Sequence, residues 1–394
     1  MLVQKYKNML SAKSVIRELS EFATARGKEI GYENVFDYSL GNPSVPVPQE
    51  FTDTMIKLLR ETDTLTLHGY SPSLTIPSVR EKIAASLERR FGIPYRMQHV
   101  FMTAGAAGAI AHAVRLVTEP GDEVLTFATF FPEYHPYVDL SGAVLKVVPP
   151  QFETFQINFD KAAEMMTEKV MAVLINTPNN PTGVVYSEET LKKLAALMTE
   201  KSKEYGHPIY LITDEPYREI VFGGKQAPCV SGFYDNSIMC YSFSKSLSIP
   251  GERIGYLAVN PACEDAETLV NMCGQISRGI GHNCPSSIIQ LAVAECADLT
   301  ADLSVYETNM NLIYNELKDL GLTIVKPDGT FYIFPKAPED DAKEFSKKAL
   351  KYDLVLVPAD TFGAPGYFRM AYCIDTEKVE RSLPAFRKFI KENY

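Results

Sequence analysis

Between about residue 100 and residue 260 the chain alternates short apolar runs with longer amphipathic stretches. The apolar runs cover 100–104, 123–128, 144–148, 170–176, 209–214, 237–242 and 254–259. Each has the length of a strand buried on both faces. Between them, helical spacing covers 106–117, which stops before Pro120-Gly121, and 187–205. Ser187 is placed to cap the second of these helices, with Glu188 and Glu189 in its first turn. Strands that alternate with helices predict an α/β fold with a mainly parallel sheet.

The flanks follow other patterns. A helix is expected at about 14–26, followed by SLGNPSVPVP (39–48), whose glycine and prolines predict an extended loop. After about residue 285 a helical region over 286–320 leads to short strands at 323–325 and 330–334. A helix, strands at 354–357 and 367–370, and a last helix complete a smaller α+β unit.

Composition narrows the function. The formal charge of -10 argues against a nucleic-acid surface, which needs clustered Lys and Arg. No apolar stretch near the start is long enough for a signal-peptide core or a membrane span, so no membrane role and a cytoplasmic location are expected. The seven cysteines are odd in number and show no CxxC spacing, and the six histidines show no HExxH pattern. Reduced thiols and no metal are therefore expected.

In an open parallel sheet, ligands bind at the carboxyl ends of the strands. The run at 100–104 leads into Gly105-Ala106-Ala107-Gly108, a small-residue turn that opens a helix and leaves backbone N–H groups free for an anion. Tight packing explains such a turn equally well, and the dinucleotide GxGxxG spacing is absent. The run at 170–176 ends in NTPNNPTG (176–183), a stiff loop that holds Asn180. The run at 209–214 ends in Asp214-Glu215-Pro216-Tyr217, and a carboxylate at the end of an apolar strand needs a cation or a donor. The run at 237–242 ends in Ser242-Phe243-Ser244-Lys245, with Arg253 eight residues on. A lone lysine on a loop is usually a solvated one. Here an anion-binding turn, a carboxylate and an arginine share its edge. Together these suit a phosphorylated, cationic, aromatic-ring cofactor: amides, serines and arginine for phosphate, a carboxylate for a ring nitrogen, a lysine amine for an aldehyde.

At these residues the sequence resembles the class I/II aminotransferases of pyridoxal-phosphate (PLP) fold type I, over essentially the whole chain. The motifs are 103–108, NTPNNPTG, TDEPY (213–217), SFSKSLSIPGERIG (242–255) and YFRMAY (367–372). The fold this implies is a large domain over 50–285, with a mainly parallel seven-stranded sheet between helices, and a smaller α+β domain of 1–49 and 286–394 that closes over the site. The resemblance implies pyridoxal 5'-phosphate as cofactor. Lys245 would carry it and move the proton, and Asp214 would pair with its ring nitrogen. Tyr217 and Asn180 would meet its phenolic oxygen, Phe131 its ring face. Gly105, Ala106, Ala107, Ser242, Ser244 and Arg253 would hold its phosphate, joined by Tyr70 of a neighbouring subunit. Arg369 would grip the substrate α-carboxylate with a planar fork, and Gly41 would offer a backbone contact. Ile16 would cap an apolar side chain. Arg278 would pair with the side-chain carboxylate of aspartate or glutamate in a partner's site, or would be an interface arginine.

Two features depart from relatives. Some aspartate-specific relatives carry a lysine where this chain has Ala107, and the chain has no Trp for ring stacking. The expected activity is amino transfer between an amino acid and a 2-oxo acid in a ping-pong sequence, in a homodimer with shared sites. A carbon–sulfur β-lyase would use the same residues. A ligand-binding domain of a transcription regulator would need an added DNA-binding module, and no room for one precedes the first motif.

Overall fold

Strand formation tracks the alternation of apolar runs closely, because a strand covered on both faces must be apolar throughout. In the computed structural model, which describes residues 3–11 and 15–394, the strands in chain order are β1 (Phe36–Asp37), β2 (Val100–Thr103), β3 (Glu123–Phe127), β4 (Val144–Val148), β5 (Val170–Asn176) and β6 (Tyr210–Asp214). They continue as β7 (Ser237–Ser242), β8 (Gly255–Val259), β9 (Tyr332–Ile333), β10 (Leu354–Val355), β11 (Val357–Pro358) and β12 (Phe368–Ala371). Seven form one sheet in the order β2-β8-β7-β6-β5-β3-β4. All are parallel except β8, which runs antiparallel to both β2 and β7.

Successive residues of the central strands feed opposite cores. Leu174 and Ile212 join Ala109, Ala113 and Val270 on one face, under the helices Gly105–Val117 and Ala266–Ile280. Val173 and Leu211 join Leu191, Leu194 and Met198 of the helix Glu188–Tyr205 on the other. Ser187 caps that helix by accepting from Thr190 N–H at 3.1 Å, and Gly206 ends it at φ 74°. Truncating one such fully buried leucine to alanine costs about 2–5 kcal/mol.

A second core, with Tyr306, Phe345, Phe368 and Phe389, belongs to the short strands. β11, β12 and β9 form an antiparallel sheet, and β1 pairs with β10 in parallel. Here the pattern misleads in three places. The expected strand at 323–325 is a loop: Leu322 and Ile324 turn inward in alternation, but no ladder forms beside them. The run at 354–357 is divided between two sheets, its first half pairing with β1 and its second with β12. The helical region at 286–320 splits into Ser287–Glu295 and Ser304–Asp319, where Asp302 accepts from Ser304 N–H at 3.1 Å. Ser287–Glu295 packs through Ile289 and Val293 against Phe51 and Val79, beside the large sheet. The helix expected at about 14–26 runs Val15–Ile30, and its position 14 lies outside the described residues. The helix Gln4–Ser11 and strand β1 had no clear pattern. No described helix is long and apolar enough to cross a membrane.

Candidate active site

The carboxyl ends of β2, β5, β6 and β7 lie on one edge of the sheet because these strands are parallel. β8 runs the other way, so the segment before it reaches the same edge and delivers Arg253 there. A cavity of about 360 Å³ opens at this edge. Ile16, Gly41, Ala106, Ala107, Phe131, Asn180, Asp214, Tyr217, Ser242, Ser244, Lys245, Arg253 and Arg369 all line it. These are positions that sequence alone had singled out, drawn from segments more than 350 residues apart.

One end of the cavity is an anion cradle. Gly105 opens its helix at φ 73°, and a Cβ there would sit 3.3 Å from Arg253 Nη2 and 3.4 Å from Ser242 Oγ. Ser242 Oγ donates to Ser244 Oγ at 2.8 Å and accepts from Ser244 N–H at 3.2 Å. Arg253 is exposed and donates to Pro250 O at 2.8 Å, which aims its fork at the cradle. A helix N-terminus with two hydroxyls and a guanidinium suits a phosphate.

Deeper in, Asp214 accepts from Tyr134 OH at 2.7 Å through Oδ2. Its Oδ1 is buried and has no partner among the described residues. Burial raises the carboxyl from its usual 3.8 to about 7, and Tyr134 opposes that rise. A carboxylate so placed is incomplete without a cationic donor, and a protonated ring nitrogen satisfies it. Asn176 donates to Asp214 O at 2.8 Å and accepts from Asn180 N–H at 2.6 Å, so the ends of β5 and β6 are tied together.

Lys245 Nζ donates to Gly41 O at 2.8 Å. Burial lowers its amine from 10.5 to about 8; the neighbouring Cys373 opposes this, and Arg253 and Arg369 add to it. An amine that is about half neutral near pH 8 is a competent nucleophile and base. Arg369, 2% exposed, donates to Asn180 Oδ1 at 3.2 Å and to Ser39 O at 2.6 Å. Its Nε is buried without a partner among the described residues. The unmatched Arg369 Nε and Asp214 Oδ1, with the anion cradle, are the groups that a phosphorylated pyridine and an amino acid would complete.

Two expected residues stand apart. Tyr70 is fully exposed, and Arg278 is exposed at the end of Ala266–Ile280 with a 3.4 Å bond to Gln275. Neither lines this chain's cavity. Sequence reading missed Tyr134 and Tyr332. Tyr134 lies three residues past Phe131, the only hint of a shared surface. Tyr332, in GTFYIFP, reads as an ordinary strand aromatic.

The fold and this site define a PLP enzyme of fold type I. A family model described as aminotransferase class I and II matches residues 33–386. The chain is 43% identical to an amino transferase from Eubacterium rectale of known structure, with a TM-score of 0.97 and full coverage of both chains. It is 30% identical to a probable aspartate/prephenate aminotransferase from Aquifex aeolicus, over 94% of this chain and 95% of that one. It is also 30% identical to a probable aspartate aminotransferase from Methanocaldococcus jannaschii, over 96% and 97%. The chain belongs to the class I and II aminotransferases and is a PLP-dependent enzyme that transfers amino groups.

Proposed function

We propose that this aminotransferase takes aspartate or glutamate as one amino donor, passes the amino group to a 2-oxo acid in a second half-reaction, and works as a homodimer with shared sites. The observation that carries the reading is the use of cations. Among the described residues lining the cavity, the cations are Lys245, Arg253 and Arg369. Arg253 faces the cradle, Arg369 offers its fork to an α-carboxylate, and Lys245 is needed for the chemistry. A side-chain carboxylate must therefore find its cation outside this chain's cavity, and Ala107 supplies none. Arg278, exposed and with only a neutral partner, suits that task in a neighbouring subunit. The names of the Aquifex and Methanocaldococcus relatives agree with aspartate as a substrate.

When bound, PLP supplies an electron sink for the pair left on the α-carbon. The chain does the rest. Arg369 orients the α-carboxylate, Lys245 takes and returns the α-proton, and Asp214 keeps the ring nitrogen charged. Phe131 covers the ring face. The separate core of the short strands supports a large unit over 50–285 and a smaller one of 1–49 and 286–394 closing over it, with Ser287–Glu295 docked on the large side.

The test compares aspartate, glutamate, alanine and phenylalanine as single donors, followed by the absorbance of the bound cofactor. In Arg278→Ala, kcat/KM should fall at least about tenfold for aspartate and stay near wild type for alanine, since an unpaired charge is what discriminates. Equal loss for both donors, or none, rejects the dicarboxylate reading. Release of pyruvate and ammonia from cysteine without an amino-form cofactor would mark a lyase instead.

A further inference from the structure

We infer that Tyr332 is a positioning residue for amino transfer, with its hydroxyl directing Tyr217 toward the cofactor and its ring backing Arg369 for the substrate. This rests on the roles given above to Tyr217 and Arg369. Tyr332 is 3% exposed and lines the cavity. Its hydroxyl lies 3.2 Å from the Tyr217 hydroxyl, with the rings edge to face at 5.7 Å. A phenol has one proton to give. If Tyr217 spends its proton on a cofactor oxygen, the 3.2 Å contact requires Tyr332 to be the donor. A donor onto the Tyr217 oxygen makes that phenol a stronger donor in turn.

The same side chain also supports the substrate arginine. The register pairs Ala371 with Tyr332, so Arg369, two residues back on β12, lies on the same face of the sheet. Its guanidinium carbon lies over the Tyr332 ring, 4.6 Å from the centroid, and over the Phe362 ring at 5.1 Å. The Tyr332 ring is itself fixed: Thr330 Oγ1 accepts from its backbone N–H at 3.0 Å, and Phe331 packs at 4.9 Å. Gly41 closes the set. A Cβ there would overlap the Tyr332 hydroxyl, and the Gly41 carbonyl is the acceptor of Lys245. One tyrosine thus touches the neighbours of the cofactor oxygen, the substrate carboxylate and the catalytic amine.

The two halves of the inference separate by substitution. Tyr332→Phe keeps the ring and removes the hydroxyl; Tyr332→Leu removes both. The first readout is the pH midpoint of the cofactor's visible band in holoenzyme without substrate. Tyr217→Phe should raise it, Tyr332→Phe should raise it by less, and the double variant should match Tyr217→Phe alone. The second readout is the affinity for 3-phenylpropionate, a carboxylate that cannot react. Tyr332→Phe should bind it within about twofold of wild type, and Tyr332→Leu about fivefold or more weakly, as loss of a desolvated cation–π contact implies. A midpoint that moves in Tyr217→Phe and not in Tyr332→Phe overturns the hydroxyl's role. A midpoint unmoved in both rejects the Tyr217 assignment and the inference with it. Equal affinity in the Phe and Leu variants overturns the role of the ring.

Discussion

Tyr134 donates its phenol proton to one oxygen of Asp214 at 2.7 Å, while the other oxygen is buried and unmatched. The carboxyl is therefore held half-satisfied. Without cofactor its pKa is raised to about 7, so the neutral form is favoured in the folded state. The stability this contributes is full below the unfolded value near 4 and is lost as pH rises through about 7. A bound cationic ring reverses the preference.

The melting temperature of cofactor-free protein should consequently fall between pH 4 and pH 7 relative to Asp214→Asn. The full difference is on the order of 4 kcal/mol. Adding cofactor should abolish that slope. Parallel curves for wild type and variant would show that Asp214 titrates normally. Tyr134→Phe removes a bond to a charged group and should weaken cofactor binding by about tenfold or more.

Lys245 is shifted the other way, to about 8. Its neutral amine dominates above that pH, and the charged form costs the fold stability as pH falls through it. In cofactor-free protein, acylation of Lys245 followed by mass spectrometry should be half-maximal near pH 8. A midpoint near 10 would contradict the burial argument. Lys245→Ala should lose turnover while the cofactor stays bound noncovalently through Asp214 and the cradle.

Glu215 and Arg218 form a buried ion pair directly behind the Asp214–Tyr217 turn. Glu215 also accepts from Thr213 Oγ1, and Arg218 donates to the carbonyls of Ala227 and Pro228. Glu215→Ala leaves a buried guanidinium without its counter-charge and should cost about 3–5 kcal/mol, measured by urea denaturation. A loss below about 1 kcal/mol would mean that water reaches Arg218.

Tyr70 is fully exposed in a single chain, and its proposed role needs a second one. Sedimentation should show a dimer, and Tyr70→Phe should remain dimeric with cofactor affinity reduced about tenfold, the loss of one bond to a charged phosphate. An active monomer of wild-type protein removes the cross-subunit role.

The sheet and its site edge were legible because local rules agree there. Apolar runs buried on both faces formed the strands, Ser187 capped its helix, and parallel direction put Asn180, Asp214 and Lys245 on one edge. Tertiary structure alone decided the rest. β8 reverses, which no periodicity encodes, and that reversal is how Arg253, already singled out in the sequence, reaches the cradle. The strands of the smaller unit have two to four residues, too short for a period to register, so the division at Leu356 and the loop at 323–325 follow from which edges were free to pair. Tyr134 and Tyr332 look like core aromatics in sequence. They acquire partners in Asp214, Tyr217 and Arg369 only when segments up to 115 residues apart are packed together, because a hydrogen bond and a stacked ring depend on distance and not on sequence spacing.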